Sequence, residues 1–289
     1  MTVCFFVPFD LFVAFVFRVR YNNLLHMNRP LSGRRALVTG STRGLGLTTV
    51  CRLAADGCDV VVHGLGDGAA LEAIRAGLER DHGVRALSSG ADLANPVDIA
   101  TLVAAAISEL GGIDILVNNA VARHTAPVEE FTSGQWNESI AVNLSSAFHT
   151  TRLVVPGMKQ RGWGRIVNVS SIYGLRGATD RVGYVTSKTG LIGLTRAVAL
   201  ETATHGITCN AVCPGTSVSP THEEAIARLA TSAGLTREAA ETRLLTGKQP
   251  TGRLISAEGV AALIAFLCTD AAADITGAAL PIDGAWSAS

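Results

Sequence analysis

The sequence of 289 residues has no surplus of either charge: Lys+Arg and Asp+Glu both number 24. With no basic or acidic excess, electrostatics points to neither nucleic acid nor an acidic partner. The six cysteines (Cys4, Cys51, Cys58, Cys209, Cys213, Cys268) include no CxxC pair and no histidine at metal-ligand spacing. Neither a disulfide scaffold nor a metal site is expected, and the thiols read as small core residues in a reducing, cytoplasmic setting. No apolar run reaches the roughly 20 uninterrupted residues of a bilayer-spanning helix, so a membrane partner is not expected. Aromatics make up only 5% of the chain, and six of the nine Phe (Phe5, Phe6, Phe9, Phe12, Phe15, Phe17) crowd into its first seventeen residues.

That stretch does not match the rest of the chain. Its apolar run, residues 3–17, is broken by Pro8 and Asp10 and followed by Arg18 and Arg20. A secretory signal would need a basic segment before it and a small-residue cleavage site after it. Three readings stay open: an over-long reading frame with Met27 as the natural start, a tail that docks on a membrane or partner, and a tail folded back on apolar surface. We therefore divide the chain into an apolar extension, 1–29, and one domain, 30–289.

With 48% hydrophobic and 17% charged residues, that domain has the composition of a buried core rather than of a disordered chain. From Arg34 onward, short β-branched runs (RRALVTG, CDVVVHG, VRALSS, IDILVNN, GRIVNVSS, ITCNAVCPG, ALPID) alternate with helical periodicity, including a long helix through Ala141 to Met158. Strict alternation predicts a doubly wound parallel α/β sheet of Rossmann type, because parallel neighbours need a crossover. Ligands are then expected beyond the strands' carboxyl ends. Residues 216–250 interrupt the rhythm with two extra helical patterns, well placed for a substrate lid.

Between the first strand and its helix lies Thr39-Gly40-Ser41-Thr42-Arg43-Gly44-Leu45-Gly46. Glycines at 40, 44 and 46 permit a tight turn, let backbone approach a pyrophosphate and aim a helix N-terminus at its charge. Asn118-Asn119-Ala120 ends the fourth strand, and Asp92-Leu93 follows the third, where they can touch an adenine or simply lead into the helix cap at Asn95. The second strand ends at His63-Gly64 with no acid for a ribose hydroxyl, Asp67 stands a little further on, and Arg43 could meet a 2′-phosphate. NAD and NADP both remain open on these residues.

Ser170-Ser171 closes the fifth strand, and Tyr184-Val185-Thr186-Ser187-Lys188 opens the next helix. Tyr and Lys four apart share one helical face, so the ammonium can favour the phenolate and bring a group of ordinary pKa about 10 into acid/base range. Ser171 can donate to a substrate oxygen. Asn143, polar amid an apolar face, is a candidate for ordering water beside Lys188. His63, His82, His124, His149, His205 and His222 form no base-and-nucleophile arrangement and read as structural, with His124 the exception to watch beside the Asn-Asn-Ala loop.

TGSTRGLG, NNA, Asn143, Ser171, YVTSK and Cys213-Pro214-Gly215 together resemble the short-chain dehydrogenase/reductase family from about residue 30 to the C-terminus. The resemblance implies interconversion of a secondary alcohol and a ketone with NAD or NADP, on a small-molecule substrate, by a homotetramer. It implies Tyr184 as proton donor and acceptor, Lys188 also on the nicotinamide ribose, Ser171 orienting substrate and Asn143 holding a relay water. The cofactor set is Gly40, Thr42, Arg43, Gly44, Leu45, Gly46, Asp92, Leu93, Asn119, Ala120, Tyr184, Lys188, Pro214 and Gly215.

Within the family, HGLGD, NNAVARHTAPVEEF, EAAETRLLTGKQP and ITGAALPIDGAW are similar to the group acting on 3-hydroxybutyrate, which implies a 3-hydroxy/3-oxo acid and tilts the cofactor toward NAD. An NADPH-dependent 3-oxoacyl-thioester reductase and a non-catalytic dinucleotide binder are the alternatives. The substrate positions depart from that group: Arg123, Tyr173, Arg181 and Ala225 replace its polar carboxylate holders, Thr216 replaces a Trp, and Trp286 is kept. Two guanidiniums can still clamp an anion, and the smaller wall predicts a larger acidic or acyl substrate. Val121 replaces a customary Gly, which puts cofactor affinity in question if the backbone there needs glycine's angles.

Overall fold

The computed structural model describes residues 29–218 and 220–288, so the apolar extension falls, but for its last residue, outside the described residues. Seven strands form one parallel sheet in the order β3-β2-β1-β4-β5-β6-β7. They are β1 (Arg35–Val38), β2 (Asp59–His63), β3 (Ala86–Ser89), β4 (Ile115–Asn118), β5 (Gly164–Val169), β6 (Ile207–Pro214) and β7 (Ala279–Ile282). The order reverses direction between β1 and β4, the switch point at whose carboxyl ends such sheets take their ligands. The chain adopts the doubly wound fold that its alternating pattern predicts.

Residues along each strand divide between the two faces, and each half finds its own helices. On one face Val38, Val62, Val117 and Val212 pack with Val50 and Leu53 of α1 (Gly44–Ala55), Leu71 and Leu78 of α2 (Gly68–His82) and Val260 and Ile264 of α9 (Ala257–Leu267). On the other, Leu37, Val61, Leu116 and Ile166 pack with Ile99 and Leu102 of α3 (Pro96–Leu110), Met158 of α5 (Ser146–Arg161) and Ala199 of α6 (Val182–Thr202). Each such side chain taken out of water is worth roughly 1.5–3 kcal/mol, so both helical layers are held against the sheet by the strands' alternation.

The long helix expected through Ala141 to Met158 is present, unbroken from 133 to 161, but it carries a π-helical turn. α4 (Ser133–Ile140) runs into a π-helical turn, Ala141–Ser145, before α5 begins. The extra residue in that turn rotates the downstream helix and turns Asn143 inward, where it is 2% exposed. The 216–250 interruption folds as α7 (Pro220–Ala233) and α8 (Arg237–Leu245), which close on each other through Ile226, Ala240 and Leu245 together with Leu254.

Candidate active site

The glycine loop is built by close approach. Gly40 adopts φ +63°, and a Cβ there would meet Ala120 Cα at 2.8 Å; one on Gly46 would run into the Gly40 carbonyl. Asn119 fixes the loop from below, its Nδ2 donating to the carbonyls of Thr39 and Gly40, both at 2.9 Å. The Thr39 hydroxyl accepts from the backbone N–H of Asn119 (2.9 Å) and Ala120 (3.1 Å). At the start of α1, Arg43 gives no side-chain cap and the first turn holds no acid. Its free N–H groups and positive end therefore fit a dinucleotide pyrophosphate, and Gly44 leaves open space in front of them.

His63 completes this cradle. Its Nδ1 accepts from the Gly40 N–H (3.0 Å) and its Nε2 lies 2.9 Å from the Ala91 carbonyl, so only the neutral Nε2-H tautomer satisfies both. Burial pulls its pKa below the usual value, opposed by the Ala91 hydrogen bond and Asp92. Asp67 caps α2 by accepting from Ala69 (2.8 Å). Asp92 accepts from Ala94 (2.9 Å), while Asn95 caps α3. The Leu93 side chain is 4% exposed within the core, so any contact it makes with a ligand is through its backbone. Val121 is not among the residues with positive φ, so this backbone does not require glycine's angles there.

The reactive group gathers at the end of β5 and the start of α6. Ser171 and Arg123 flank the Tyr184 phenol, with the Arg123 guanidinium 5.9 Å and the Lys188 Nζ 5.7 Å from its ring centroid. Burial by itself would raise the Tyr184 pKa, but the charges of Lys188 and Arg123 and the polar surroundings that Ser171 and Arg123 provide outweigh it and bring the phenol below its ordinary value. Lys188 is 2% exposed and donates to the Val169 carbonyl at 2.7 Å. Burial lowers its pKa, with Tyr184 opposing. Ser170 anchors the same helix, its hydroxyl donating to the Lys188 carbonyl (2.8 Å).

Asn143 has a different immediate task from ordering water. Its Oδ1 accepts from the Ala122 N–H (2.7 Å), and its Nδ2 donates to the Ala122 carbonyl (3.0 Å) and the Ser187 hydroxyl (3.3 Å). The side chain thus ties the segment carrying Arg123 to the helix carrying Tyr184.

Around the phenol, the substrate candidates form an aromatic row. Tyr173 meets Tyr184 edge-on at 6.4 Å and Trp286 at 5.4 Å. Arg181 begins α6 without capping it by its side chain, and its charge acts on Tyr173. Thr216 is held by backbone, its N–H donating to the Gln249 side chain and its carbonyl accepting from Ile255 (2.9 Å). Pro214 ends β6, and Gly215 passes so close to Asp283 that a Cβ would meet its Cα at 3.0 Å. Sequence reasoning missed Arg176, which donates to the Trp286 carbonyl. Its only signal was a position between Ser171 and Tyr184. Equally unforeseen is a buried chain in which Asn118 Nδ2 donates to Asn168 Oδ1 (2.8 Å) and Asn168 Nδ2 to Thr195 (2.9 Å), stitching β4, β5 and α6 beneath the site.

The short-chain dehydrogenase model matches residues 34–229. The chain belongs to that family. D-beta-hydroxybutyrate dehydrogenase of Cupriavidus necator is 43% identical over 258 residues, 89% of this chain and 99% of the relative. Its counterpart from Rhizobium meliloti is 41% identical over 261 residues, 88% and 99% of the two chains. L-sorbose reductase from Gluconobacter frateurii, solved with NADPH and L-sorbose, superposes with a TM-score of 0.83 at 28% identity, covering 89% of this chain and 98% of that one. As a member, the protein is an oxidoreductase that uses a nicotinamide dinucleotide on a small-molecule substrate. Among the described residues, no helix is long and apolar enough to cross a membrane.

Proposed function

We propose that the protein interconverts a 3-hydroxy acid and its 3-oxo acid with NAD(H). The observation that carries this reading is the Tyr184 phenol, flanked by Ser171 and by the cations of Arg123 and Lys188. Tyr184 holds the proton that leaves or joins the substrate oxygen, and Ser171 donates to that same oxygen. Lys188 and Arg123 keep the phenolate accessible; Lys188 would also reach the nicotinamide ribose, as the family resemblance implies. The dinucleotide, when bound, supplies the hydride acceptor or donor. Gly40, Thr42, Gly44, Leu45 and Gly46 would cradle its pyrophosphate, with Asp92, Asn119, Ala120 and Pro214-Gly215 bordering the rest.

NAD is favoured by the neutral His63 and the exposed, apolar Leu65 at and just beyond the end of β2, together with the similarity to the two hydroxybutyrate dehydrogenases. A second reading, an NADPH-dependent 3-oxoacyl-thioester reductase, is favoured by the exposed Arg43 at the start of α1. The ketoacyl reductase of monensin polyketide synthesis, 37% identical over 255 residues, is consistent with it. Residues 30–289 act as one catalytic domain with 216–250 as its lid, in a cytoplasmic homotetramer, on the family resemblance. Tyr184→Phe tests the mechanism: turnover should fall by about 10²–10⁴ while dinucleotide binding is kept. Undiminished oxidation of hydroxy acids by that variant would refute it.

A further inference from the structure

Three guanidiniums stand around the aromatic row of this site, and among the described residues none of Arg123, Arg176 and Arg181 forms an ion pair with an acid. Arg123 is at one end, its guanidinium 5.9 Å from the Tyr184 ring centroid. Arg176 is at the other, on the Trp286 carbonyl, and Arg181 acts on Tyr173 between them. Tyr173 itself is kept neutral, because burial raises its pKa against the pull of both arginines. It offers a hydroxyl donor rather than a compensating charge. At the other end of the sheet, by contrast, Arg35 and Arg161 meet on a shared acid, Asp114. A concentration of one sign of charge beside a reactive group, with none of it in ion-pair contact with an acid, is a feature that a ligand completes.

A monoacid completes only one end of it. The carboxylate of a short 3-hydroxy acid whose carbinol sits at Tyr184 is within reach of Arg123. The row then continues over Tyr173, 6.4 Å on, to Trp286, a further 5.4 Å, where Arg176 waits. An extended four-carbon acid is only about 5 Å long at ordinary bond lengths, too short to touch both ends.

Resting on the reading of the site as a hydroxy-acid dehydrogenase, we propose that its substrate is a hydroxy dicarboxylic acid, with one carboxylate held by Arg123 near the reacting carbon and the second by Arg176 and Arg181. Planar guanidiniums bind carboxylates through paired N–H donors, so the second acid contributes orientation as well as affinity.

The test compares four substrates of the purified full-length enzyme with NAD: 3-hydroxybutyrate, its acyl thioester, 3-hydroxydecanedioate, whose extended chain matches the length of the row, and the monomethyl ester of its distal carboxylate, which keeps the length but loses one charge. We expect kcat/KM for the diacid to exceed that of the half-ester at least tenfold. Arg176→Gln should lower this diacid-to-half-ester ratio at least fivefold, whatever it does to the absolute rates. Plain decanedioate should compete with the diacid more tightly than decanoate does, a binding readout independent of turnover. Equal use of diacid and half-ester, or a ratio untouched by Arg176→Gln, overturns the second carboxylate and leaves the hydroxy-acid reading standing. Preference for an acyl thioester of hydroxybutyrate over the diacid overturns it in favour of a reductase of thioesters. Failure to oxidise any hydroxy acid removes both readings together.

Discussion

The Arg123 guanidinium lies 5.9 Å from the Tyr184 ring centroid, and its charge draws the pKa of that phenol down. Lys188, on the helix of Tyr184, is a second cation beside the same ring, at 5.7 Å. One phenol thus has charges from two elements, and either can favour its ionised form.

Removing the Arg123 charge takes away one of the influences that lower the Tyr184 pKa, while burial, Ser171 and Lys188 remain. Alcohol oxidation needs the base form, so the rising limb of kcat/KM against pH should move to higher pH in Arg123→Gln. A limb that stays put would show that Lys188 and Ser171 alone set the ionisation of Tyr184. The comparison should use an uncharged secondary alcohol, so that loss of a carboxylate contact does not enter.

Gly46→Ala tests the cofactor cradle. A Cβ there would strike the Gly40 carbonyl and come within 2.5 Å of the Asn119 amide nitrogen, both parts of the loop's own scaffold. The loop must shift, and overpacking of this kind typically costs about 1–3 kcal/mol. Dinucleotide binding, followed by fluorescence titration, should weaken at least tenfold in the variant. Unaltered affinity would mean that the pyrophosphate does not use this turn.

His63 carries a pH dependence whose sign is set by its two bonds. Its folded pKa is depressed, so as pH falls below the ordinary histidine value near 6.5, an unfolded chain takes up a proton that the folded one refuses. Stability should decline with acidification through that window, since protonated Nδ1 can no longer accept from Gly40. Melting temperature measured from about pH 8 down to pH 5 should fall more steeply in the natural protein than in His63→Gln. Parallel curves would show that His63 titrates as freely when folded as when unfolded.

Much of this was legible in the sequence because it was local. Alternating β-branched runs gave away the parallel sheet, and Tyr184 and Lys188 share a face through helical spacing alone. What escaped depended on contacts across elements. The π-helical turn at Ala141–Ser145 has the same residue types as ordinary helix, so although Asn143 stood out as polar amid an apolar face, nothing marked the change of helical pitch around it. Leu93 looked available beside Asp92, yet the tertiary core claimed its side chain. Arg176 resembled any loop arginine until the C-terminal turn brought the Trp286 carbonyl to it. His63 was visible only as a missing acid, and its pairing with Gly40 needed two strands side by side.

A final prediction concerns the edge of the sheet away from the site, before the strands begin their run toward the catalytic end. Asp114, 1% exposed, precedes β4 and takes Arg35 Nε on Oδ2 (2.6 Å) and Arg35 Nη2 and Arg161 Nε on Oδ1 (2.8 and 2.9 Å). Arg161 also donates to the Ile113 carbonyl at 2.6 Å. One buried carboxylate thus joins the start of β1 to the end of α5. Replacing it with Ala leaves two guanidiniums without their counter-charge, a change that costs about 3–5 kcal/mol when the partners are fully buried. Here their side chains are 19% and 32% exposed, so water offsets part of that, and the lower end, about 3 kcal/mol, is expected. Urea unfolding of Asp114→Ala should show the loss as a lower midpoint with unchanged slope. Because the pair lies at the amino ends of the strands, kcat/KM of the folded variant should match the natural enzyme, and a matched stability would mean that the triad contributes no net free energy to the fold.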